Sequence, residues 1–183
     1  MKIKRPYSTV MPIAEALIER LAPACHRIEV AGSLRRQCDE IGDIELIAVP
    51  ILNAGLMPGV PGAVSKINFL DMWASPHIQI IKDGDKYKQF TFKTKNKQQY
   101  QVDLFLQPDP QTWGVNYMIR TGSKDFARRM VTSTENGGFR PWRYRVENAR
   151  VIDIESNLPL PTPEEMDVFT FWNMEFIPPK NRQ

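Results

Sequence analysis

Two short motifs hold residues whose types and spacing could do chemistry. Gly32-Ser33-Leu34-Arg35-Arg36 lies between two apolar segments, and Gly42-Asp43-Ile44-Glu45 follows it closely. Gly32 would let the backbone approach an anion, and Ser33 can donate from its hydroxyl and its amide. Arg36 can pair with phosphate oxygens through two parallel N–H groups. This set of donors fits a triphosphate.

Asp43 and Glu45 could bind the metal ions that chemistry on a triphosphate needs. They stand two residues apart, so on a strand both carboxylates leave the same face, and hard oxygen ligands suit Mg²⁺. An isolated pair of this kind is more often two acids on a solvated strand face. Here Ile44 and residues 46–49 are apolar, which indicates a buried strand whose acids need cations or donors. Together the two motifs predict metal-dependent nucleotidyl transfer.

A third carboxylate, Asp103, lies in another apolar segment. Residues from Tyr100 to Leu106 alternate in the manner of a strand. The side chain of Asp103 would therefore leave the face opposite to that of its two sequence neighbours. If this strand pairs beside the one that begins at Ile44, then Asp103 converges with the two earlier acids.

Hydrophobic periodicity predicts the elements that must position these residues. We expect strands near 27–31, 44–49, 78–82, 86–93 and 98–105, and a helix near 61–73. Apolar residues at helical spacing between Pro12 and Pro23 predict one amphipathic helix that covers the sheet. Further on, residues 140–154 resemble a hairpin, and Thr162 and Glu165 form a capping-box pattern with Pro163 at the first helical position. These elements predict an α+β fold.

In this order the motifs resemble those of the nucleotidyltransferase superfamily, and in particular the family X DNA polymerases of the polymerase beta group. That family has Gly-Ser-x-Arg-Arg, then Gly-Asp-x-Asp, and later x-Val-Asp-Leu in its palm. Gly114–Phe126 is similar to the thumb entry of the family, and Pro161–Phe169 and Ile177–Arg182 are similar to its closing helix and tail. An ordered series of motifs is more specific than any one of them.

The resemblance is closest to the small palm-and-thumb forms of phages and bacteria. It implies a nucleotidyltransferase palm over residues 1–120, with a mixed β-sheet and helices on one side, followed by a small α+β thumb over residues 121–183. A hinge would lie at Thr121-Gly122. The segment before the first predicted strand is too short for the family's N-terminal lyase and helix-hairpin-helix module, so we expect that module to be absent.

The same resemblance implies an active site. Asp43, Glu45 and Asp103 would be the catalytic residues and would bind two divalent metal ions, Mg²⁺ or Mn²⁺. The substrate dNTP would be held by Gly32, Ser33, Arg36, Gly42, Thr121 and Gly122. The implied reaction is in-line attack of a primer 3′-hydroxyl on the α-phosphate of a nucleoside triphosphate, as in short-gap filling during DNA repair or replication.

Charge distribution favours DNA as the partner, either a primer-template or a gapped duplex. The net charge is only +3, but basic residues clearly outnumber acids between residues 120 and 150. The expected nucleic-acid contacts are Arg120, Lys124, Arg128, Arg129, Arg140, Arg143 and Arg145. Trp142 and Tyr144 lie among them and could either stack on a base or fill the core.

Composition fits one compact protein of 183 residues, 42% hydrophobic and 25% charged, which is long enough to bury a core. Because there is no long apolar run, we expect no membrane partner, and we expect a monomer in the cytoplasm of a bacterium or a phage-infected host. Cys25 and Cys38 are expected to be reduced thiols, and with only two histidines they make no zinc-ligand cluster.

Several departures from the family pattern leave other functions open. Glu45 stands where most members have Asp, and Ile119-Arg120 replaces the aromatic pair that helps to exclude ribonucleotides. Ala127 and Val131 replace residues that contact the minor groove and the template. The alternatives are a nucleotidyltransferase that is template-independent or acts on RNA, protein or a small molecule, and a catalytically inactive binding module with the same fold.

Overall fold

The computed structural model describes residues 3–52 and 78–183, which form two compact units. Among the described residues, the first comprises 3–34, 38–52 and 78–108, and the second comprises 35–37 and 109–183. The expected α+β class is confirmed, whereas the palm and thumb assignments, divided at residue 120, stay predictions. The helix expected near 61–73 lies outside the described residues.

The first unit is built on a five-stranded mixed sheet. Its elements are β1 (Arg5–Pro6), α1 (Tyr7–Leu21), β2 (Cys25–Val30), α2 (Gly32–Arg35), β3 (Glu40–Ile41), β4 (Ile44–Pro50), β5 (Ile78–Asp83), β6 (Tyr87–Lys93) and β7 (Gln99–Leu106). The strand order is β2-β4-β7-β6-β5, in which β4 and β7 are parallel and the other neighbours are antiparallel. All five strands that periodicity predicted in this sheet are therefore confirmed, with ends that differ by at most two residues.

Alternation along the strands separates the sheet into two faces. Ile44 and Leu46 of β4 and Val102 and Leu104 of β7 belong to the core on one face, together with the buried side of α1. The intervening residues Glu45 and Asp103 therefore leave the opposite face. This alternation is what presents acids from an otherwise apolar pair of strands.

The predicted amphipathic helix is confirmed, but it begins at Tyr7 rather than after Pro12. Pro12 lacks the N–H that a helix interior uses and is expected to weaken the helix there. Tertiary contacts oppose this effect, because Val10 is buried in the core and the N–H of Tyr7 donates to the carbonyl of Asp39.

The second unit packs three helices with a small antiparallel sheet. Its elements are α3 (Trp113–Thr121), α4 (Lys124–Val131), β8 (Tyr144–Glu147), β9 (Arg150–Asp153), β10 (Pro159–Leu160) and α5 (Glu165–Phe171), with short 3₁₀ turns at Pro110–Thr112, Thr134–Asn136 and Pro179–Asn181. The sheet order is β10-β9-β8. The hairpin expected within residues 140–154 is thus confirmed as β8 and β9.

The capping box predicted for α5 is wrong in its residues. The cap is formed by Glu164 and Asp167, with the Glu164 N–H donating to Asp167 Oδ2 at 2.8 Å. Thr162 instead donates from its hydroxyl to the carbonyl of Gln111 at 3.2 Å. Glu165 is likewise not a cap, because its carboxylate binds Arg35 at 2.9 Å. Both side chains of the predicted capping box therefore bind residues that are distant in sequence instead of capping the helix.

The two tryptophans at 113 and 172 are buried, as expected for packing residues. Tyr144 also packs in the core of the second unit, where its ring stacks on Trp172 with centroids 5.7 Å apart. Trp142 is different, because 67% of it is exposed. Tyr144 therefore fills the core and Trp142 does not, while stacking of Trp142 on a base stays a prediction.

Candidate functional site

Strand pairing brings two of the three predicted acids into direct register. In the parallel pair of β4 and β7, Glu45 lies opposite Asp103. On the other side of β7, Gln89 of the antiparallel strand β6 also lies opposite Asp103. Residues in register on neighbouring strands share a face, so these three side chains form a polar row across the sheet.

The carboxylate of Asp103 is buried, with 7% exposed, and accepts hydrogen bonds only from neutral groups among the described residues. Tyr87 Oη and Gln89 Nε2 each donate to Oδ1 at 2.7 Å. Gln101 Nε2 donates to Oδ2 at 3.1 Å and lies 3.3 Å from Oδ1. The carboxylate is therefore satisfied as an acceptor, while none of these donors neutralises its charge.

Glu45 lies against Gly32, the first residue of the Gly32–Arg36 motif. Gly32 has φ of +56°, in the left-handed region, and a Cβ at this position would overlap Glu45 Oε2. The N–H of Ala31 also donates to the main-chain carbonyl of Glu45 at 2.8 Å. Gly32 is required here both by its backbone conformation and by the space that the Glu45 carboxylate fills.

Asp43 lies just before β4 and is half-buried. With Gly42 it borders a cleft of about 360 Å³ in the first unit. The polar part of the cleft wall consists of Arg5, Asp43, Thr91, Gln99 and Gln101. The cleft therefore lies next to one of the predicted metal ligands and next to a residue that binds Asp103.

The three acids were expected to lie together. The structure shows two of them, Glu45 and Asp103, side by side on neighbouring strands. Across residues 3–52 and 78–183, no three His, Cys, Asp or Glu side chains form a group that could hold a metal ion. The donor chemistry still fits a hard divalent cation, because carboxylate oxygens are its preferred ligands and Asp103 has no ion pair within those ranges. Convergence of Asp43 with Glu45 and Asp103 stays a prediction.

The residues expected to hold the triphosphate lie in different parts of the chain. In the first unit Ser33 is half-buried, and its carbonyl accepts from the N–H of Cys38 at 3.1 Å. In the second unit Arg36 Nη1 donates to the carbonyl of Thr121 at 2.6 Å. The N–H of Gly122 donates to Met118 and closes α3. Arg36 thus binds a main-chain carbonyl of the second unit, and its contact with a triphosphate stays a prediction.

Thr121 is fully buried, and its hydroxyl accepts from Arg35 Nη1 at 2.7 Å. Arg35 belongs to the Gly32–Arg36 motif, but the sequence analysis gave it no role of its own. Its guanidinium also lies 3.6 Å from the ring centre of Tyr117 and pairs with both carboxylate oxygens of Glu165. Arg35 therefore ties its segment to the core of the second unit.

Glu165 has a second cation, which sequence reasoning also missed. Arg182 is fully buried and donates to Glu165 Oε1 and, at 2.7 Å, to the carbonyl of Ile177. Its guanidinium lies 5.1 to 5.5 Å from three phenylalanine rings: Phe126, Phe169 and Phe176. A basic residue one position from the end of the sequence resembles a solvated tail, and no local signal distinguishes it from one.

Of the seven residues expected to contact nucleic acid, the three that follow Phe139 in the chain make hydrogen bonds or ion pairs within the second unit. Arg140 donates to the carbonyls of Val131, at 2.9 Å, and of Tyr144. Arg143 pairs with Asp153 at 2.8 Å, and Arg145 pairs with Glu147 at 2.7 Å. The two ion pairs reduce the positive charge that Arg143 and Arg145 present.

The other four lie at the end of α3 or on α4 and are exposed: Arg120, Lys124, Arg128 and Arg129. Arg128 makes a long, exposed pair with Asp125 at 3.4 Å, and Arg129 lies over the ring of Phe139 at 4.0 Å. This part of the second unit carries the more accessible cations of the predicted set.

Asp153 and Cys25, which lie outside the predicted catalytic set, have shifted pKa values. The backbone N–H of Ser156, followed by the guanidinium of Arg143, lowers the pKa of Asp153 to about 2. Burial raises the pKa of the Cys25 thiol to about 11. Both Cys25 and Cys38 are free thiols, as expected. Neither Asp153 nor Cys25 belongs to the predicted catalytic set.

No protein-family model and no curated protein sequence matches this chain. The relation to family X polymerases therefore stays a resemblance that rests on the motifs and their order. Within the part of the chain that the structure describes, no helix combines the length and apolarity needed to cross a bilayer.

Proposed function

We propose that this protein is a metal-dependent nucleotidyltransferase of the family X DNA polymerase type, which adds nucleotides to a primer 3′-hydroxyl. The observation that supports this most is the register of Glu45 with Asp103 on adjacent parallel strands. A buried carboxylate with neutral donors only, beside a second carboxylate on the same face, is suited to hold a divalent cation.

In this proposal Asp43, Glu45 and Asp103 hold two divalent ions, which would lower the pKa of the attacking hydroxyl and stabilise charge on the leaving pyrophosphate. Gly32 and Ser33 contribute close backbone approach and hydrogen-bond donors for the triphosphate. Asp103 can also accept a proton, since among the described residues only Gln101 donates a hydrogen bond to its Oδ2.

DNA binding is assigned to the second unit, and first to its exposed basic residues on α3 and α4. Lys124, Arg128 and Arg129 are exposed side chains that could neutralise phosphates. Affinity for DNA should therefore fall steeply as salt is added. We further propose that the protein acts as a cytoplasmic monomer of a bacterium or a phage-infected cell.

A second candidate is a nucleotidyltransferase that extends an end without a template or uses another acceptor. It is favoured by Ile119 and Arg120, which replace the aromatic pair associated with sugar discrimination in the family X polymerases that the chain resembles. Ile119 packs against the core of the second unit, whereas Arg120 is exposed. A ribonucleotide would then meet no aromatic side chain at this position that could exclude it.

Primer extension tests both candidates. The acceptors are a one-nucleotide-gapped duplex, an open template-primer and a single strand, each supplied with single dNTPs and rNTPs in Mg²⁺ and in Mn²⁺. Insertion dictated by the templating base supports the polymerase, and insertion indifferent to the template supports the second candidate. Absence of incorporation on every DNA acceptor would contradict the polymerase and direct the search to RNA, protein or small-molecule acceptors.

A further inference from the structure

We infer that Tyr87 and Gln89 are positioning residues, which fix the carboxylate of Asp103 so that it acts through Oδ2 alone. This inference rests on the proposed function, in which Asp103 is a metal ligand. It assigns a role to two residues of β6 that carry no catalytic motif and that sequence reasoning did not single out.

The pairing of β6 with β7 places both residues on the face of Asp103. Gln89 is the direct register partner of Asp103, and Tyr87 is the partner of Phe105, two positions further along β7. The ring of Tyr87 stacks on that of Phe105, with centroids 5.1 Å apart and planes 23° apart. Strand register and ring stacking together hold the phenol so that its hydroxyl reaches the carboxylate.

The hydrogen bonds divide unequally between the two oxygens of Asp103. Oδ1 accepts from Tyr87 Oη and from Gln89 Nε2, both at 2.7 Å, so its two lone pairs are used. Within residues 3–52 and 78–183, Oδ2 accepts only from Gln101, at 3.1 Å, and so keeps one lone pair. Only Oδ2 can therefore take a cation or a proton without breaking a short hydrogen bond.

The chemistry of the donors also matters, because a phenol and two amides orient a carboxylate without neutralising it. An arginine in the same place would fix the orientation but compensate the charge that attracts a cation. Partners of this kind around a metal ligand typically change metal affinity or activity by about 10–100-fold when they are removed. Tyr87 and Gln89 fit that role.

The test measures Mn²⁺ binding by the full chain, without nucleotide or DNA, by electron paramagnetic resonance. The variants are Tyr87→Phe, which keeps the ring, and Gln89→Leu, with Asp103→Asn as the reference for loss of the ligand. Tyr100→Phe is the matched control, because that hydroxyl donates to Gln98 at 2.9 Å and lies on the opposite face. Gln79→Leu, at an exposed position on β5, is the control for the amide.

We expect Mn²⁺ to bind each of the two variants about 10–100-fold more weakly than wild type, with both controls unchanged. Circular dichroism establishes that the variants are folded. In incorporation assays the same variants should lower kcat while leaving KM for the nucleotide near its wild-type value.

Wild-type Mn²⁺ affinity in folded Tyr87→Phe and Gln89→Leu would overturn the inference, and so would a wild-type protein that binds no Mn²⁺. The proposed function fails separately. If Mn²⁺ binding depends on Asp103, Tyr87 and Gln89 but no nucleotide is incorporated on any acceptor, the positioning role is supported and the polymerase assignment is wrong.

Discussion

Two buried carboxylates in this protein, Asp103 in the first unit and Glu165 in the second, have opposite kinds of partner. Asp103 accepts only from a phenol and two amides among the described residues. Glu165 is bound by the guanidinium groups of Arg35 and Arg182. The exposed fractions of the two acids are similar, at 7% and 4%. Burial therefore does not separate them, whereas the charge of their partners does.

The difference indicates different roles for the same functional group. A carboxylate neutralised by two arginines forms a closed structural network, and removal of one member leaves buried charge without a partner. A carboxylate that is oriented but not neutralised can still attract a cation. We therefore regard Glu165 as part of the scaffold of the second unit and Asp103 as part of the proposed active site.

The greatest loss of activity is expected for Asp103→Asn, which should reduce incorporation by roughly 10³-fold or more, because loss of a metal ligand removes several kcal/mol of transition-state stabilisation. Primer extension under single-turnover conditions measures the loss, and urea unfolding establishes that the variant remains folded. Activity near that of wild type in a folded Asp103→Asn protein would remove the contrast with Glu165.

Glu165→Gln should act on stability instead. The free energy of unfolding should fall by about 3–5 kcal/mol, because the buried guanidinium of Arg182 and the partly buried one of Arg35 lose their shared carboxylate. Urea unfolding followed by tryptophan fluorescence measures the change. Glu147→Gln is the matched control, since its exposed pair with Arg145 should contribute only about 0–1 kcal/mol. Equal effects of the two substitutions would show that the Glu165 network is not a scaffold.

Gly32→Ala tests whether the position of the Glu45 carboxylate matters. The new methyl group would occupy the position of Glu45 Oε2, so the carboxylate must move, and we expect incorporation to fall by about 10–100-fold. The left-handed backbone adds strain of about 1–2 kcal/mol to the folded state. Primer extension measures the first effect and urea unfolding the second.

Gly137→Ala separates the two causes. Gly137 also has positive φ, at +78°, but nothing lies within 4 Å of the position that a methyl group would take there. It should therefore show a loss of stability from backbone strain without a loss of incorporation. Unchanged activity in Gly32→Ala would mean that the position of the Glu45 carboxylate does not matter for the reaction.

A smaller effect on stability is expected for Asp153, a third carboxylate. Its partners include one arginine and a backbone N–H. Its pKa in the folded protein is about 2, below its ordinary value of 3.8. Its stabilising effect is therefore fully present above the ordinary pKa and is lost as the pH falls toward 2. In Asp153→Asn the decline of stability between about pH 4 and pH 2 should be shallower than in wild type. Unfolding midpoints across this range measure it, and identical slopes would contradict the assignment.

The parts of the structure that local patterns determine were predicted well. Alternation of apolar residues predicted the strands that carry Glu45 and Asp103, because every second side chain of such a strand packs in the core. Their register could not be derived, because it depends on pairing between segments that are distant along the chain. The partners of Asp103 were missed for the same reason, as Tyr87 and Gln89 have no motif and become relevant only through that register.

The second unit shows where local reasoning gave the wrong answer. Thr162 and Glu165 match a capping box, yet both side chains bind partners far along the chain. Arg35 and Glu165 are 130 positions apart. Tertiary hydrogen bonds to charged groups can exceed the roughly 1 kcal/mol that a cap contributes, so the local pattern did not decide the outcome.

The decisive experiment for the proposed site is a crystal structure with Mn²⁺ and a non-hydrolysable deoxynucleoside triphosphate, in which anomalous scattering locates the metal. We predict Mn²⁺ bound by carboxylate oxygens of Asp43, Glu45 and Asp103, with Asp103 using Oδ2. Metal and nucleotide bound elsewhere, with these three carboxylates free of metal, would contradict the proposal.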